Sequence, residues 1–185
     1  LEELLQQWQQ EGPLPGGEQR PVIDFRCGLS SGEVIVGNIG SSKHLEYTVI
    51  GDIVNLGSRL EGANKKYGTH IMLSEATHEK VKDFFAMREL DVIKVVGKKQ
   101  SIKVYELLNV KGALVPEAAQ LLDWYNQGIA LYHERKFAEA LEQFEKILKV
   151  YPQDEPSKLY KQRCEVLRDF PPAANWDGVF EMGSK

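Results

Sequence analysis

The chain has 185 residues, 42% of them hydrophobic, with a formal net charge of −4 and a pI near 5.7. Those values leave room for one buried core of ordinary size plus a smaller appendage, and they remove any general electrostatic reason to expect nucleic acid or an anionic membrane surface as a partner. Cys27 and Cys164 stand far apart without metal-type or redox-type spacing, so both read as free thiols in a reducing compartment, and no apolar run approaches a membrane span.

The first element is "LEELLQQWQQEG", which sets Leu1, Leu4, Leu5 and Trp8 at helical spacing and stops at Gly12-Pro13. It has neither a capping residue nor the basic-then-apolar order of a signal peptide, and Leu1 falls directly on the apolar stripe; the expectation is a chain cut from something longer. After the loop "PLPGGEQRP" the pattern changes to period two in "VIDFRCGL" and again in "EVIVGNIG", with "SSG" between them, which predicts an antiparallel hairpin of those two runs. "SSKHLE" reads as loop and "YTVI" as a short strand. "DIVNLGSRLEGANKKYG" reads as a helix capped by Asp52 and ended near Gly68. Then come a strand "THIMLS", a short helix "EATHEKVKDFF", and two long strands, "AMRELDVIKVV" and "SIKVYELLNV", joined around "GKKQ". Hairpins mixed with helices predict an α/β (α+β) core.

"KGALVP" marks a boundary beyond which the strand signal disappears. Trp124, Gly128, Leu131, Ala140, Phe144 and Pro152 sit at the offsets of one helix–turn–helix unit of the tetratricopeptide type. Small residues at 128 and 140 would let the helices approach, with Trp124, Leu131 and Phe144 in the seam. "EPSKLYKQRCEVLRDF" predicts a third helix, and "PPAANWDGVFEMGSK" a short extended tail. A single repeat cannot bury its own face, so the unit must lean on the rest of the chain or on a partner.

The stretch "YTVIGDIVNLGSRL" carries the chemistry. Asn55 and Arg59 are helix neighbours at i, i+4, with Ile53, Val54, Leu56 and Leu60 in burying positions. Arg59 can fork two hydrogen bonds onto a phosphate, Asn55 offers both donor and acceptor, and Gly57 allows close approach to the backbone. Spacing alone leaves two readings open, a phosphate or sugar site and a surface polar pair. His44, His70, His78 and His133 have no ligand spacing, and no Walker-type phosphate loop occurs.

The segment from "RCGLSSGEVIVGNIG" through "YTVIGDIVNLGSRLE", with the "VVGKKQSIKVYEL" hairpin, resembles the C-terminal part of the catalytic domain of class III nucleotidyl cyclases, bacterial adenylate cyclases above all. The resemblance implies a ferredoxin-like core lacking its N-terminal side and followed by a tetratricopeptide-like extension, with divisions at 1–110, 111–116, 117–170 and 171–185. It implies conversion of ATP to cyclic AMP and pyrophosphate in signalling, pairing with a second cyclase domain as a homodimer, and a cytoplasmic catalytic region in a protein anchored through an upstream sensor. A protein partner for the helical segment is a further expectation; nucleic acid is not.

Residue by residue, the resemblance implies that Asn55 orients the ribose and Arg59 stabilises the phosphoryl group in the transition state. Thr48 falls where the family reads the purine, although without a match it is simply a β-branched strand residue. Many members carry Lys-Gly-Lys in the last hairpin; here Val96-Gly97-Lys98 stands instead, so Lys98 or Lys99 takes part of the triphosphate role or only keeps the turn soluble. The Mg or Mn ions are expected on two aspartates from segments upstream of residue 1, which makes this chain inactive by itself. The alternative is a non-catalytic regulatory or protein-interaction module on a cyclase-like fold.

Overall fold

The computed structural model describes residues 4, 7, 8, 10–12, 17, 19–21, 23–41, 44–94, 101–173 and 175–179. Leu4, Trp8 and their neighbours 7 and 10 are helical, as the apolar spacing predicts, whereas Leu1 and Leu5 lie outside the described residues. The ordered elements run β1 (Cys27–Leu29), β2 (Ile35–Ser41), β3 (His44–Ile50), α1 (Asp52–Tyr67), β4 (Ile71–Ser74), α2 (Glu75–Val81), β5 (Phe85–Lys94), β6 (Ser101–Val110), α3 (Pro116–His133), α4 (Phe137–Val150) and α5 (Glu155–Asp169). The fold is a mixed α/β unit followed by three helices.

One sheet holds four strands in the order β1-β4-β6-β5, and β2 with β3 forms a separate two-stranded ribbon. This corrects the expected pairing of "VIDFRCGL" with "EVIVGNIG". β1 instead runs parallel to β4, Gly28 opposite Met72, and β2 pairs antiparallel with β3, Gly37 opposite Thr48. The polar "SSG" turn does not fold the chain back because its hydroxyls are tied elsewhere. The Ser30 hydroxyl donates to Ser74 Oγ at 3.3 Å, and the Thr77 hydroxyl donates to Ser31 Oγ at 3.1 Å. The turn is thus held on the end of β4 and the start of α2, and the next run leaves the sheet to form the ribbon.

Helix α1 packs across β1 and β4. Its buried residues are Leu56, Leu60, Asn64 and Tyr67, one stripe at helical spacing. Gly68 ends it in the left-handed conformation at φ 63°, returning its N–H to the Asn64 carbonyl, as the glycine there predicts. The start differs from expectation. Gly51 is the N-cap residue and Asp52 the first helical one, so the Asp52 carboxylate sits in the first turn, where the helix dipole favours a negative charge, and is not the cap.

β5 and β6 form the predicted long antiparallel hairpin. Lys98, Lys99, Val96 and Gly97 at its tip lie outside the described residues. Pairing slips between Glu89 and Asp91, leaving Leu90 as the extra residue of a bulge, which breaks the strict alternation of side chains along β5.

Beyond the sheet, α3 and α4 pack as an antiparallel pair with α5 against α4. Gly128 lets them meet: a Cβ there would lie 2.8 Å from the Phe144 ring. The seam is shifted by one residue from the expected one. Phe144 and Ala140 are fully buried, but Trp124 and Leu131 only border the core, whose centre on α3 is Tyr125, Ile129 and Tyr132. Those residues repeat with Gly128 at i, i+3, i+4, i+7, the spacing of the buried face. Trp176 from the tail closes one end against Tyr132 and Phe137, with ring centroids 5.3 and 5.9 Å apart. The second core lies between sheet and α1, formed by Leu56, Leu60, Tyr67, Met72, Leu90 and Val104, and Leu159 of α5 packs against it.

Candidate functional site

Helix α1 presents Asn55 and Arg59 on its exposed side, one turn apart, while Leu56 and Leu60 between and after them are buried. Of the four expected burying positions only those two leucines are buried; Ile53 is half-buried and Val54 exposed. The helix begins firmly, with the Val54 and Asn55 amides donating to the Gly51 carbonyl at 3.1 and 3.4 Å. Asn55 therefore stands in the first turn, next to the entry from β3.

Two devices hold this helix to the sheet. Asn64 is fully buried, its Nδ2 donating to the carbonyls of Cys27 and Leu60 at 3.0 Å each and its Oδ1 accepting the Thr69 hydroxyl at 2.8 Å. Through the Cys27 carbonyl Nδ2 joins α1 to β1, while Oδ1 ties down the turn that follows the helix. The second device is the backbone crossing at Gly28. A Cβ there would lie 2.1 Å from the Gly57 carbonyl oxygen and 2.4 Å from the Glu61 amide nitrogen. The close approach expected at Gly57 is made by strand β1, and the glycine it demands most is Gly28.

Thr48 lies on the ribbon, opposite Gly37, and is exposed. The structure thus joins Asn55 and Arg59 on one helix face and puts Thr48 on the separate sheet that leads into that helix. By its register the ribbon sets Val36, Leu45, Tyr47 and Val49 on one face, at 50%, 62%, 77% and 41% of full exposure. Four neighbouring apolar side chains on one exposed face exceed the scattered apolar residues of an ordinary protein surface.

A cleft of about 620 Å³ opens beside the first half of α1, lined among others by Ser30, Ser31, Val34, Ile53, Ser58 and Lys80. At about 100° per residue Ser58 is roughly 60° from Asn55 around the helix, so the cleft borders the Asn55–Arg59 face. Ser58 is not among the residues singled out from the sequence. Its position beside the pair was available from the helical wheel.

Thr48, Asn55 and Arg59 supply a hydroxyl, an amide and a guanidinium, and a guanidinium repels a divalent cation; this set does not fit a metal centre. Among the described residues no group of three or more His, Cys, Asp or Glu is placed to hold a metal ion.

A second polar centre, which sequence reasoning missed, lies where β5 meets α1, α3 and α5. Arg163 of α5 forks onto Asp91, Nη1 to Oδ1 at 2.9 Å and Nη2 to Oδ2 at 2.6 Å, and the Tyr67 hydroxyl donates to Asp91 Oδ2 at 2.6 Å. Burial, then the charge of Asp91, pushes the Tyr67 hydroxyl well above its usual range, which keeps it a donor. Arg88 reaches Glu106 Oε2 at 2.6 Å and Asp154 Oδ1 at 2.8 Å, and lies over the Tyr125 ring at 4.8 Å. Burial raises Glu106 above the usual carboxylate range despite Arg88. Burial also works to raise Glu89, but His133 at 2.6 Å and Lys103 at 2.8 Å overcome it and leave this carboxyl lowered. The legible signal was the charged run "RELD" inside an otherwise apolar strand.

A sequence profile described as the adenylate and guanylate cyclase catalytic domain matches residues 10–109, and one described as the tetratricopeptide repeat matches 122–154. Among similar proteins, the terminal-differentiation-specific adenylate cyclase of Dictyostelium discoideum is 33% identical over 148 residues, covering 77% of this chain and 7% of that protein. Adenylate cyclase 1 of Rhizobium meliloti is 38% identical over 94 residues, covering 51% of this chain and 14% of that protein. The chain thus spans a small fraction of the relatives it matches. The solved adenylyl cyclase CyaB from P. aeruginosa aligns with a TM-score of 0.46 at 31% identity, over 62% of this chain and 54% of that one. Among the described residues no helix is long and apolar enough to cross a membrane.

Proposed function

The chain belongs to the family of adenylate and guanylate cyclase catalytic domains, and on that premise we propose that it is the nucleotide-positioning part of an adenylate cyclase, acting in a protein that converts ATP to cyclic AMP and pyrophosphate. The observation that carries this reading is the pairing of Asn55 and Arg59 on one exposed face of a helix whose opposite face is anchored by Leu60, Asn64 and Gly28. A donor pair held on a rigid element costs little reorganisation when charge develops in the transition state. Arg59 stabilises the phosphoryl oxygens as the ribose 3′-hydroxyl attacks, Asn55 orients the ribose, and Thr48 contacts the purine. Lys98, outside the described residues, is assigned to the triphosphate.

The reaction needs two divalent ions, Mg or Mn, which lower the charge on the phosphates when bound; the residues described here do not form their site, and this reading assigns it to segments outside residues 1–185. The choice of adenine over guanine is supported by the relatives named adenylate cyclase. Pairing with a second cyclase domain is supported by the apolar surface of the ribbon. In this reading residues 1–110 are the cyclase portion, 111–116 a linker, 117–170 the tetratricopeptide-like segment and 171–185 the tail.

The test incubates the natural protein, and this chain alone, with ATP or GTP and Mg or Mn, and separates products by chromatography. Cyclic AMP from the natural protein and none from this chain is expected. A natural protein that cyclises neither nucleotide overturns the reading and leaves the chain a non-catalytic interaction module.

A further inference from the structure

We propose that the helical extension positions the catalytic helix: Arg163, acting through Asp91 and Tyr67, fixes the C-terminal end of α1 and with it the direction in which Asn55 and Arg59 point. The proposal rests on the cyclase reading of those two residues.

Three separate links run from α5 to α1, two of them at its C-terminal end. The first is electrostatic. Tyr67 is the last residue of α1, and its hydroxyl donates to the same Asp91 carboxylate that Arg163 forks onto, while Asp91 Oδ1 also accepts the Val92 amide at 2.9 Å. The side chains of Arg163 and Asp91 are 2% and 6% exposed, so water does not compete. The second is steric. Gly68, the C-cap of α1, faces the first residue of α5 so closely that a Cβ would lie 2.6 Å from Glu155 Cγ. The third is apolar, since Leu159 packs on the core that includes Leu56, Leu60 and Tyr67.

Helix α5 is in turn fixed to the sheet. Asp154, its N-cap, accepts the Ser157 amide at 3.1 Å and holds Arg88 of β5 at 2.8 Å. The chain of contacts therefore runs from β5 through α5 to the end of α1. Arg59 lies eight residues from Tyr67, about 12 Å along a helix that behaves as a rod. A tilt at one end is felt at the other, and misplacement of a catalytic group by about 1 Å costs on the order of a hundredfold in rate. A buried ion pair often contributes little net stability over an apolar replacement, while the two parallel bonds of the Arg163–Asp91 fork fix the relative placement of the groups that make them. That property suits an alignment device more than a glue.

The test measures kcat and KM of the natural protein carrying Tyr67→Phe, Arg163→Met, Arg163→Lys or both of the first two, with amide exchange along α1 of this chain as a readout independent of activity. Arg163→Met is expected to lower kcat about tenfold to a hundredfold with KM nearly unchanged. Tyr67→Phe, which removes one hydroxyl and keeps the ring, is expected to lower kcat less, and the double variant to be no worse than Arg163→Met because both act through Asp91. Arg163→Lys keeps the charge but loses the fork and recovers part of the rate. Exchange should rise at residues 60–67 and stay unchanged in β4. Unaltered kcat in Arg163→Met, strictly additive effects, or uniform loosening of every element would overturn the proposal. If the wild-type natural protein makes no cyclic nucleotide, the cyclase reading fails, while the exchange pattern alone still decides whether Arg163 anchors α1.

Discussion

Replacing Gly28 by alanine should be among the most damaging small changes in this chain, while the same replacement at Gly57, its neighbour across the strand–helix crossing, should be harmless. At position 28 the new methyl would sit 2.1 Å from the Gly57 carbonyl oxygen and 2.4 Å from the Glu61 amide nitrogen, both backbone atoms inside α1. No rotamer change can relieve that, so β1 and α1 must part. Overpacking a tight interior usually costs about 1–3 kcal/mol, and a clash with helix backbone belongs at or beyond the upper end. For a chain of this size about 3 kcal/mol corresponds to a fall of roughly 6–12 °C in Tm. At position 57 the methyl meets only the Gly28 carbonyl oxygen, at 3.4 Å. Alanine also gains about 0.5–1 kcal/mol over glycine inside a helix, so Gly57→Ala should leave Tm unchanged or raise it. Urea and thermal unfolding of both variants give the comparison. Equal stabilities for the two variants, or a Gly28→Ala chain as stable as wild type, would refute the crossing as the anchor of the Asn55–Arg59 helix.

Further outcomes follow from the same packing. Gly128→Ala pushes a methyl to 2.8 Å from the Phe144 ring, so the helical extension should lose about 1–3 kcal/mol in urea unfolding, with near-ultraviolet dichroism of its aromatic cluster reporting the change. Burial raises the hydroxyls of Tyr67, Tyr125, Tyr132 and Tyr160 above 10.0 and pushes the Cys164 thiol from 9.0 up to about 12. The folded chain therefore holds protons that the unfolded chain releases as pH rises past 9, so their stabilising effect is complete below that pH and declines above it. The urea midpoint should fall steadily between about pH 9 and 11, and a flat profile would contradict the burial of these groups. Alkylation at neutral pH should label half-buried Cys27 readily and Cys164 only on unfolding, as peptide mass mapping will report.

Local signals proved legible where a residue's own conformation decides the outcome. Gly68 ends α1 because it takes a positive φ, and the alternating run 101–110 is a strand to its last residue. Asn55 and Arg59 share a face because helix spacing requires it. The pairing of β1 was not legible, since "SSG" looks like a hairpin turn until Ser74 and Thr77 arrive from more than forty residues away to hold Ser30 and Ser31. Asp52 looked like a cap because capping chemistry is common, yet Gly51 can enter the helix from β3 without a side-chain bond. The Asp91 centre joins residues 67, 91 and 163, and no local pattern links them. Only the unusual charges within β5 hinted that something would come to meet them.

The central claim is that Arg59 acts on the nucleotide in the transition state. Its most direct test is the steady-state kinetics of Arg59→Ala in the natural protein with ATP and Mg or Mn. The expected result is a loss of kcat of about a hundredfold to a thousandfold, the range for removing a donor aimed at developing charge, with KM changed by little. A raised KM with kcat intact would contradict it and make Arg59 a ground-state binding group.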